Sequence, residues 1–328
     1  MDTAFLIESA AKVACVLGFI LVGVMLTVWA ERKLIGHFQD RIGPERVGPF
    51  GILQSFADML KLLLKEDVIP SQADKIVYFI APALSVITGL VALSVIPFGD
   101  SVTLFGRTIP LRIADVSVAL LFILGTTSLG VYGIVLGGWA SNSKYPLLGG
   151  LRSSAQMISY ELAQGISLVG VILMTGSLSL VEIVRQQEHL WFVVPQFFAF
   201  AIYVISGIAE TNRAPFDLPE AETELVAGFH TEYSSMKWAF YFLAEYTNMF
   251  VVSAVAISVF LGGGHGPFLP PFVWFLIKLG AFLFFYIWLR ATFPRLRYDQ
   301  LMGFGWKVLL PASLLNLAIT ATVVALKG

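Results

Sequence analysis

Charge is scarce in this 328-residue chain. Asp, Glu, Lys and Arg make up 13% of it and hydrophobic residues 57%, whereas an ordinary soluble domain carries about 25% charged residues. The 21 basic and 22 acidic side chains leave a net charge of −1, which excludes a broadly basic nucleic-acid binder. Cysteine is nearly absent. Cys15 is the one thiol, so an intramolecular disulfide is impossible and no cysteine-ligated zinc or iron–sulfur centre can be built. Any redox centre must belong to another chain. There is no Walker loop, no Rossmann glycine pattern after a strand, and no zincin or kinase motif. No internal repeat supports an inverted-repeat transporter. A secretory signal is not expected either: Asp2 and Glu8 bracket the start before Lys12, and the apolar run that follows is too long.

Long apolar runs are what the chain has. About 20 such residues cross a bilayer, and eight stretches qualify, near 4–30, 75–97, 114–138, 155–176, 190–210, 236–260, 272–293 and 306–326. Trp139, Trp191 and Trp306 fall near their ends, as interfacial anchors do. The expected fold is an all-α polytopic membrane protein, one membrane domain over 1–328. The connections after spans 1, 3, 5 and 7 hold eleven basic residues (Arg32, Lys33, Arg41, Arg46, Lys61, Lys65, Lys144, Arg152, Arg213, Arg295, Arg297), and those after spans 2, 4 and 6 hold Arg107, Arg112 and Arg185. The positive-inside rule then places loops 31–74, 139–154, 211–235 and 294–305 inside and both termini outside. The 261–271 linker, LGGGHGPFLPP, reads as turn-forming, with His265 a solvated loop histidine.

The inner side carries the chemistry. From Phe50 to Glu66 the pattern predicts a helix: Gln54, Asp58, Lys61 and Lys65 form a narrow polar stripe, and Ile52, Leu53, Phe56, Met59, Leu60, Leu63 and Leu64 cover the rest. This suits an amphipathic helix at the bilayer surface. It is either a simple anchor or one wall of an entrance for a lipid-soluble ligand, with GPERVGPFG before it supplying irregular backbone of the kind tolerated where it lines a cavity. Glu161 and Glu245 lie inside spans, roughly 10–15 Å from the inner end. Intramembrane carboxylates face protein or water, so each is a proton relay or a neutral acid hydrogen-bonded within the bundle.

The stretch 209–233, AETNRAPFDLPEAETELVAGFHTEY, concentrates six of the 22 acids (Glu210, Asp217, Glu220, Glu222, Glu224, Glu232) beside the single cation Arg213. Pro219 could open a short helix whose first turn favours acids, but Glu220 and Glu224 at i,i+4 repel. Crowded carboxylates couple their titrations, which fits a proton-storing or charge-sensing site as well as a solvated acidic loop. His230 adds a further titratable group. Arg290, Arg295 and Arg297 flank Pro294, as inner-face anchors or as partners of the acids or of a docked subunit. Lys278, within span 7, is explained by snorkelling.

Four segments carry a resemblance: ERKLIGHFQDRIGPERVGPFGILQSFADMLKLLLKE, GWASNSKYPLLGGLRSSAQMISYE, the 209–233 stretch, and PRLRYDQLMGFGWK. In this order, over nearly the whole chain, they resemble one family of respiratory complex I membrane subunits. That family includes the H-type subunit of bacterial NADH:quinone oxidoreductase and mitochondrial NADH dehydrogenase subunit 1. The resemblance implies a subunit with no activity of its own, at the elbow of a proton-pumping complex in the bacterial cytoplasmic membrane. It implies neighbours that are hydrophilic quinone-site subunits and small membrane subunits, with flavin and iron–sulfur centres in partner chains, quinone as substrate, and no metal or cofactor held here. By the same likeness Glu31, Arg32, Arg41, Asp58, Lys61, Lys65, Glu66, Arg290, Arg295 and Arg297 match a quinone tunnel or its mouth. Glu161, Glu210, Asp217, Glu220, Glu222, Glu224, Glu232 and Glu245 match a proton-relay chain. A hydrogenase-type relative and a stand-alone ion transporter are the competing expectations.

Overall fold

A computed structural model describes residues 3–99, 101–104, 107–218 and 226–327. Among these, eleven α-helices dominate: α1 Thr3–Phe38, α2 Gln54–Leu64, α3 Lys75–Ala92, α4 Ala119–Ala140, α5 Lys144–Thr175, α6 Leu180–Arg185, α7 Phe197–Glu210, α8 Ser235–Phe260, α9 Pro271–Thr292, α10 Tyr298–Phe304 and α11 Leu310–Lys327. A small antiparallel hairpin pairs β1 Ser101–Leu104 with β2 Arg107–Pro110, Ser101 opposite Pro110. Among the described residues, seven helical segments are long and apolar enough to cross a membrane. The last of them runs from α10 into α11 through a π-helical turn over Gly305–Leu309.

The fifth expected span is shorter than its apolar run. Over 190–210 the helix begins only at Phe197. Pro195 lacks an N–H and disfavours helical backbone at Val194, so residues 192–196 form turns. The 14 residues of α7 cover roughly 21 Å, less than the ~30 Å of a hydrocarbon core. Two connections are also more helical than expected. The 31–74 loop loses its first residues to α1, which continues to Phe38, and the 139–154 loop shrinks because α5 starts at Lys144. Pro146 sits in the first turn of α5, where its missing N–H costs nothing.

The amphipathic helix near 50–66 is present but shorter, at Gln54–Leu64. The chain before it turns through left-handed backbone at Phe50 (φ 54°) and Gly51 (φ 75°). A Cβ on Gly51 would lie 2.2 Å from the Pro44 carbonyl oxygen, so only glycine fits. Ile52, Leu53, Phe56, Met59, Leu60, Leu63 and Leu64 all remain exposed, the apolar face the pattern predicted. The helix is pinned at both ends. Ser55 Oγ donates to the Met25 carbonyl (2.9 Å) and Trp29 Nε1 to the Phe50 carbonyl (3.1 Å). Ser235 Oγ donates to the Leu62 carbonyl (2.9 Å), and Lys237 Nζ meets Asp67 at 2.7 Å.

Helix α8 is the centre of the bundle: every residue from Met249 to Phe260 is buried, as expected of a helix apolar all round. Helices α3 and α4 pack most extensively, and a Cβ on Gly133 would stand 2.1 Å from Ser85 Oγ. In lipid, apolar burial drives little helix association, so close packing of small residues and hydrogen bonds do the joining. Asp74 starts α3 by accepting from the N–H groups of Ile76 (3.1 Å) and Val77 (3.3 Å).

Lys278 does not snorkel. It is buried, and its ammonium donates to the carbonyls of Leu261 (2.6 Å), Gly263 (2.8 Å) and His265 (2.8 Å), 4.3 Å from the centre of the Trp191 ring. It caps the carboxyl end of α8, where a cation suits the helix dipole. The linker that holds His265 is thereby tied down.

Candidate functional site

Near its carboxyl end, α1 places Glu31 at 4% exposure among three partners from distant elements. Arg213, on the turn after α7, brings Nη1 to 3.1 Å from Glu31 Oε1. Tyr246 on α8 donates its hydroxyl to Oε2 at 2.5 Å, and Arg290 on α9 hydrogen-bonds Oε1. Arg213 reaches on to Glu245, with Nε 2.7 Å from Oε1, and its guanidinium lies 4.2 Å over the Tyr246 ring. Arg295 Nη2 meets Asp217 Oδ2 at 2.9 Å. Three carboxylates thus face three guanidinium groups. Glu31 and Arg213, the most buried of the six, are paired with each other, as buried charges must be to persist.

Burial disfavours charge on Arg213, but Glu245, Tyr246 and Glu31 outweigh it and hold its pKa above the usual value. For Asp217 the balance runs the other way: burial pushes its carboxyl up more than Arg295 and Arg290 pull it down. Its Oδ1 has no hydrogen-bond partner among the described residues.

A cavity of about 470 Å³ opens against this cluster. Val28, Glu31, Arg32, Arg41, Tyr246 and Arg290 are among its walls, and its size suits a small organic headgroup. Glu31, Arg32, Arg41 and Arg290, which the resemblance groups at a tunnel or its mouth, all line this cavity. Asp58 stands beside them: Oδ2 accepts from Arg32 at 2.5 Å, which joins α1 to α2, and Oδ1 lies 3.4 Å from Lys61 on α2 itself. Burial pushes the Asp58 carboxyl up, but the hydrogen bond and charge of Arg32 outweigh it, with Gln54 and Lys61 assisting, and hold it below the usual range. Lys65 and Glu66 follow the end of α2, exposed and outside the cavity walls. Arg297 is exposed and pairs locally with Asp299 at 2.5 Å.

The relay candidates divide into groups. Glu210 and Glu245 line one small cavity of about 50 Å³ with His230, Asn248 and Ser85, enough room for water. Burial lowers the His230 pKa to about 4. A tyrosine cluster fixes the segment that carries His230. Tyr78 stacks on Tyr233 at 4.1 Å and donates to the Glu232 carbonyl at 2.6 Å, while Tyr241 donates to the Gly133 carbonyl at 3.1 Å. Glu232 enters this arrangement by its backbone. Glu161 on α5 accepts a hydrogen bond from Ser128 on α4. Gln164, one turn further along α5, stands with Tyr203 against Glu210. Glu220, Glu222 and Glu224, like the helix expected at Pro219, lie outside the described residues.

Two members of the site carry no role in the sequence reading. Arg213 appears there as one of the inner-side basic residues and as the lone cation of an acidic stretch, and Tyr246 gives no signal although it adjoins Glu245. Pairing Arg213 with Glu31 across 182 positions leaves no local trace. Among the described residues no cluster of three His, Cys, Asp or Glu could hold a metal.

The chain is similar to known proteins over almost its whole length. The profile of the family described as "NADH dehydrogenase" matches residues 11–321. The NADH-quinone oxidoreductase subunit designated H 1 in Geobacter metallireducens is 54% identical, covering 97% of this chain and 96% of the relative. The H-type subunit of Thermomicrobium roseum is 54% identical over 95% and 96%, and the one designated H 2 in Geobacter sulfurreducens is 55% identical over 95% and 95%. With its membrane-crossing helices and this likeness, the chain is a multi-pass membrane protein that belongs to the NADH dehydrogenase family and is a homologue of the H-type subunit of NADH-quinone oxidoreductase.

Proposed function

We propose that the chain is a non-redox membrane subunit of a proton-pumping NADH:quinone oxidoreductase in a bacterial cytoplasmic membrane, forming the quinone passage and the first links of the proton-coupling chain. Flavin and iron–sulfur centres in partner subunits deliver the electrons. Hydrophilic quinone-site subunits cover the inner face, small membrane subunits flank it, and both termini lie outside. The observation that carries this reading is the position of Glu31. It is at once a wall of the 470 Å³ cavity and a member of the buried ion cluster.

The chemistry follows from that position. Quinone reduction consumes two electrons and two protons, so charge and proton demand change wherever the headgroup reacts. Arg32, Arg41 and Arg290 favour an electron-rich headgroup, and the exposed apolar face of α2 borders the route from lipid. A change of charge beside Glu31 alters what Arg213 must balance between Glu31 and Glu245. Glu245 shares the water-sized cavity with Glu210 and His230, and Glu161 stands one helical turn from Gln164, beside Glu210. The relay so ordered runs Glu31, Glu245, Glu210, Glu161, with Asp217 at its edge. Glu232 and the undescribed Glu220, Glu222 and Glu224 are assigned to the same chain.

A photoreactive quinone analogue added to the intact complex tests the passage. Label on peptides holding Ile35, Phe242 and Ala291, displaced by unlabelled quinone, is the expected result. Displaceable label confined to other subunits would remove the passage from this chain.

A further inference from the structure

At the opposite end of α1 from Glu31 lies a second large cavity, of about 390 Å³, that the proposed quinone chemistry does not use. Glu8, Lys12, Phe19, Phe98, Ile113 and Phe272 are among its walls, contributed by the first half of α1, the end of the β-hairpin and the segments on either side of it, and the start of α9. Glu8 and Glu31 are separated by roughly 35 Å of helix, so this groove opens at the other face of the membrane. Its chemistry is graded along α1. The mouth carries two ion pairs, Glu8 with Lys12 at 2.7 Å and Arg112 with Asp115 at 2.9 Å. Beyond them the walls are Val16, Phe19, Phe98 and Phe272. From Glu8 to Phe19 the groove runs about 16 Å, close to half of a ~30 Å hydrocarbon core.

We propose that this groove is a binding site for a zwitterionic phospholipid of the outer leaflet, one acyl chain lying along α1 between Phe19, Phe98 and Phe272 and the headgroup meeting the charged mouth. Among the described residues the mouth offers Lys12, Arg112 and Glu8 on its walls and Asp115 paired with Arg112, two cations and two carboxylates in balance. A phosphate finds Lys12 and Arg112, and an ammonium finds Glu8 and Asp115. An anionic headgroup would compete with Glu8 and Asp115 for those two cations and bring no ammonium to replace them. The occupant is a lipid and not a partner helix because the charged groups are confined to the mouth, and the apolar part beyond them, about 10 Å from Lys12 to Phe19, stays within one leaflet.

The test uses the intact complex in mild detergent with phosphatidylethanolamine carrying a diazirine midway along one acyl chain, followed by photolysis and peptide mapping. Label is expected on the peptides holding Val16–Phe19 and Phe98, and unlabelled phosphatidylethanolamine should displace it at a concentration at least tenfold lower than phosphatidylglycerol. Ala11→Trp, which fills the groove far from the ion cluster, should abolish that label with NADH:quinone activity retained. Label no stronger there than at the outward-facing Leu21–Val22 would overturn the site. Equal displacement by phosphatidylglycerol would overturn the zwitterionic assignment, and a photo-crosslink from this groove to a neighbouring subunit's helix would replace lipid by protein.

Discussion

Glu31 and Arg213 stand 182 positions apart in sequence and 3.1 Å apart in space, both almost wholly buried. Removing one partner of such a pair leaves the other's charge uncompensated and costs about 3–5 kcal/mol. Arg213→Ala should therefore cut the amount of assembled complex on native gels. Arg213→Lys keeps the charge, but an ammonium lacks the guanidinium fork that spans Glu31 and Glu245. It should assemble and lose at least tenfold in quinone reduction. Full activity in the lysine variant would show that charge alone suffices.

Asp58 couples α1 to α2 through Arg32. The pair is partly exposed, so its worth is about 0.5–1 kcal/mol. Asp58→Asn should leave the complex assembled and raise KM for a short-chain quinone up to about fivefold, with a smaller change in kcat. A pure kcat effect would place Asp58 in the reaction and not at the entrance.

His230 gives the structure a pH signature. Burial lowers its pKa to about 4, against about 6.5 in an unfolded chain. Between those values the unfolded state binds the extra proton, so stability falls as pH drops through this window and is unaffected above it. The full effect is at most about 3 kcal/mol. Thermal inactivation of the complex from pH 7 to pH 5 should be steeper with pH in the wild type than in His230→Gln. Parallel slopes would show that His230 is not the group responsible.

Glu161 tests the relay. Glu161→Gln keeps an acceptor for the Ser128 hydroxyl and removes the ionisable proton, so assembly should be normal while coupled quinone reduction falls several-fold. Proton pumping at the wild-type ratio and rate in this variant would sink the relay assignment.

Lys278 serves as a control. Lys278→Met removes three hydrogen bonds to the linker that follows α8 and should lower thermal stability by about 2–4 kcal/mol, with KM for quinone unchanged.

The bundle was legible because its signals are local. Apolar length marked the long spans, and the stripe Gln54–Asp58–Lys61–Lys65 marked α2 with the correct face outward. What failed was also local but short-range: one proline moved the start of α7, and helical backbone continued through polar residues into α1 and α5. The site was half legible. Carboxylates inside greasy helices, Glu161 and Glu245, announce themselves by their cost. Their partners do not, because Arg213 and Tyr246 acquire meaning only when α1, α8 and the turn after α7 meet. Lys278 misled for a related reason: its position along the helix suggested reach toward water, while its ammonium meets three carbonyls of the linker between α8 and α9.

The double membership of Glu31 has a thermodynamic consequence. If occupancy of the 470 Å³ cavity changes how tightly the ion cluster holds a proton, protonation of the cluster must change affinity for the occupant by the same factor. Quinone binding should then take up or release a fractional proton, measurable as a buffer-dependent heat. The pH dependence of quinone affinity must equal that proton count, whatever route the proton takes afterwards.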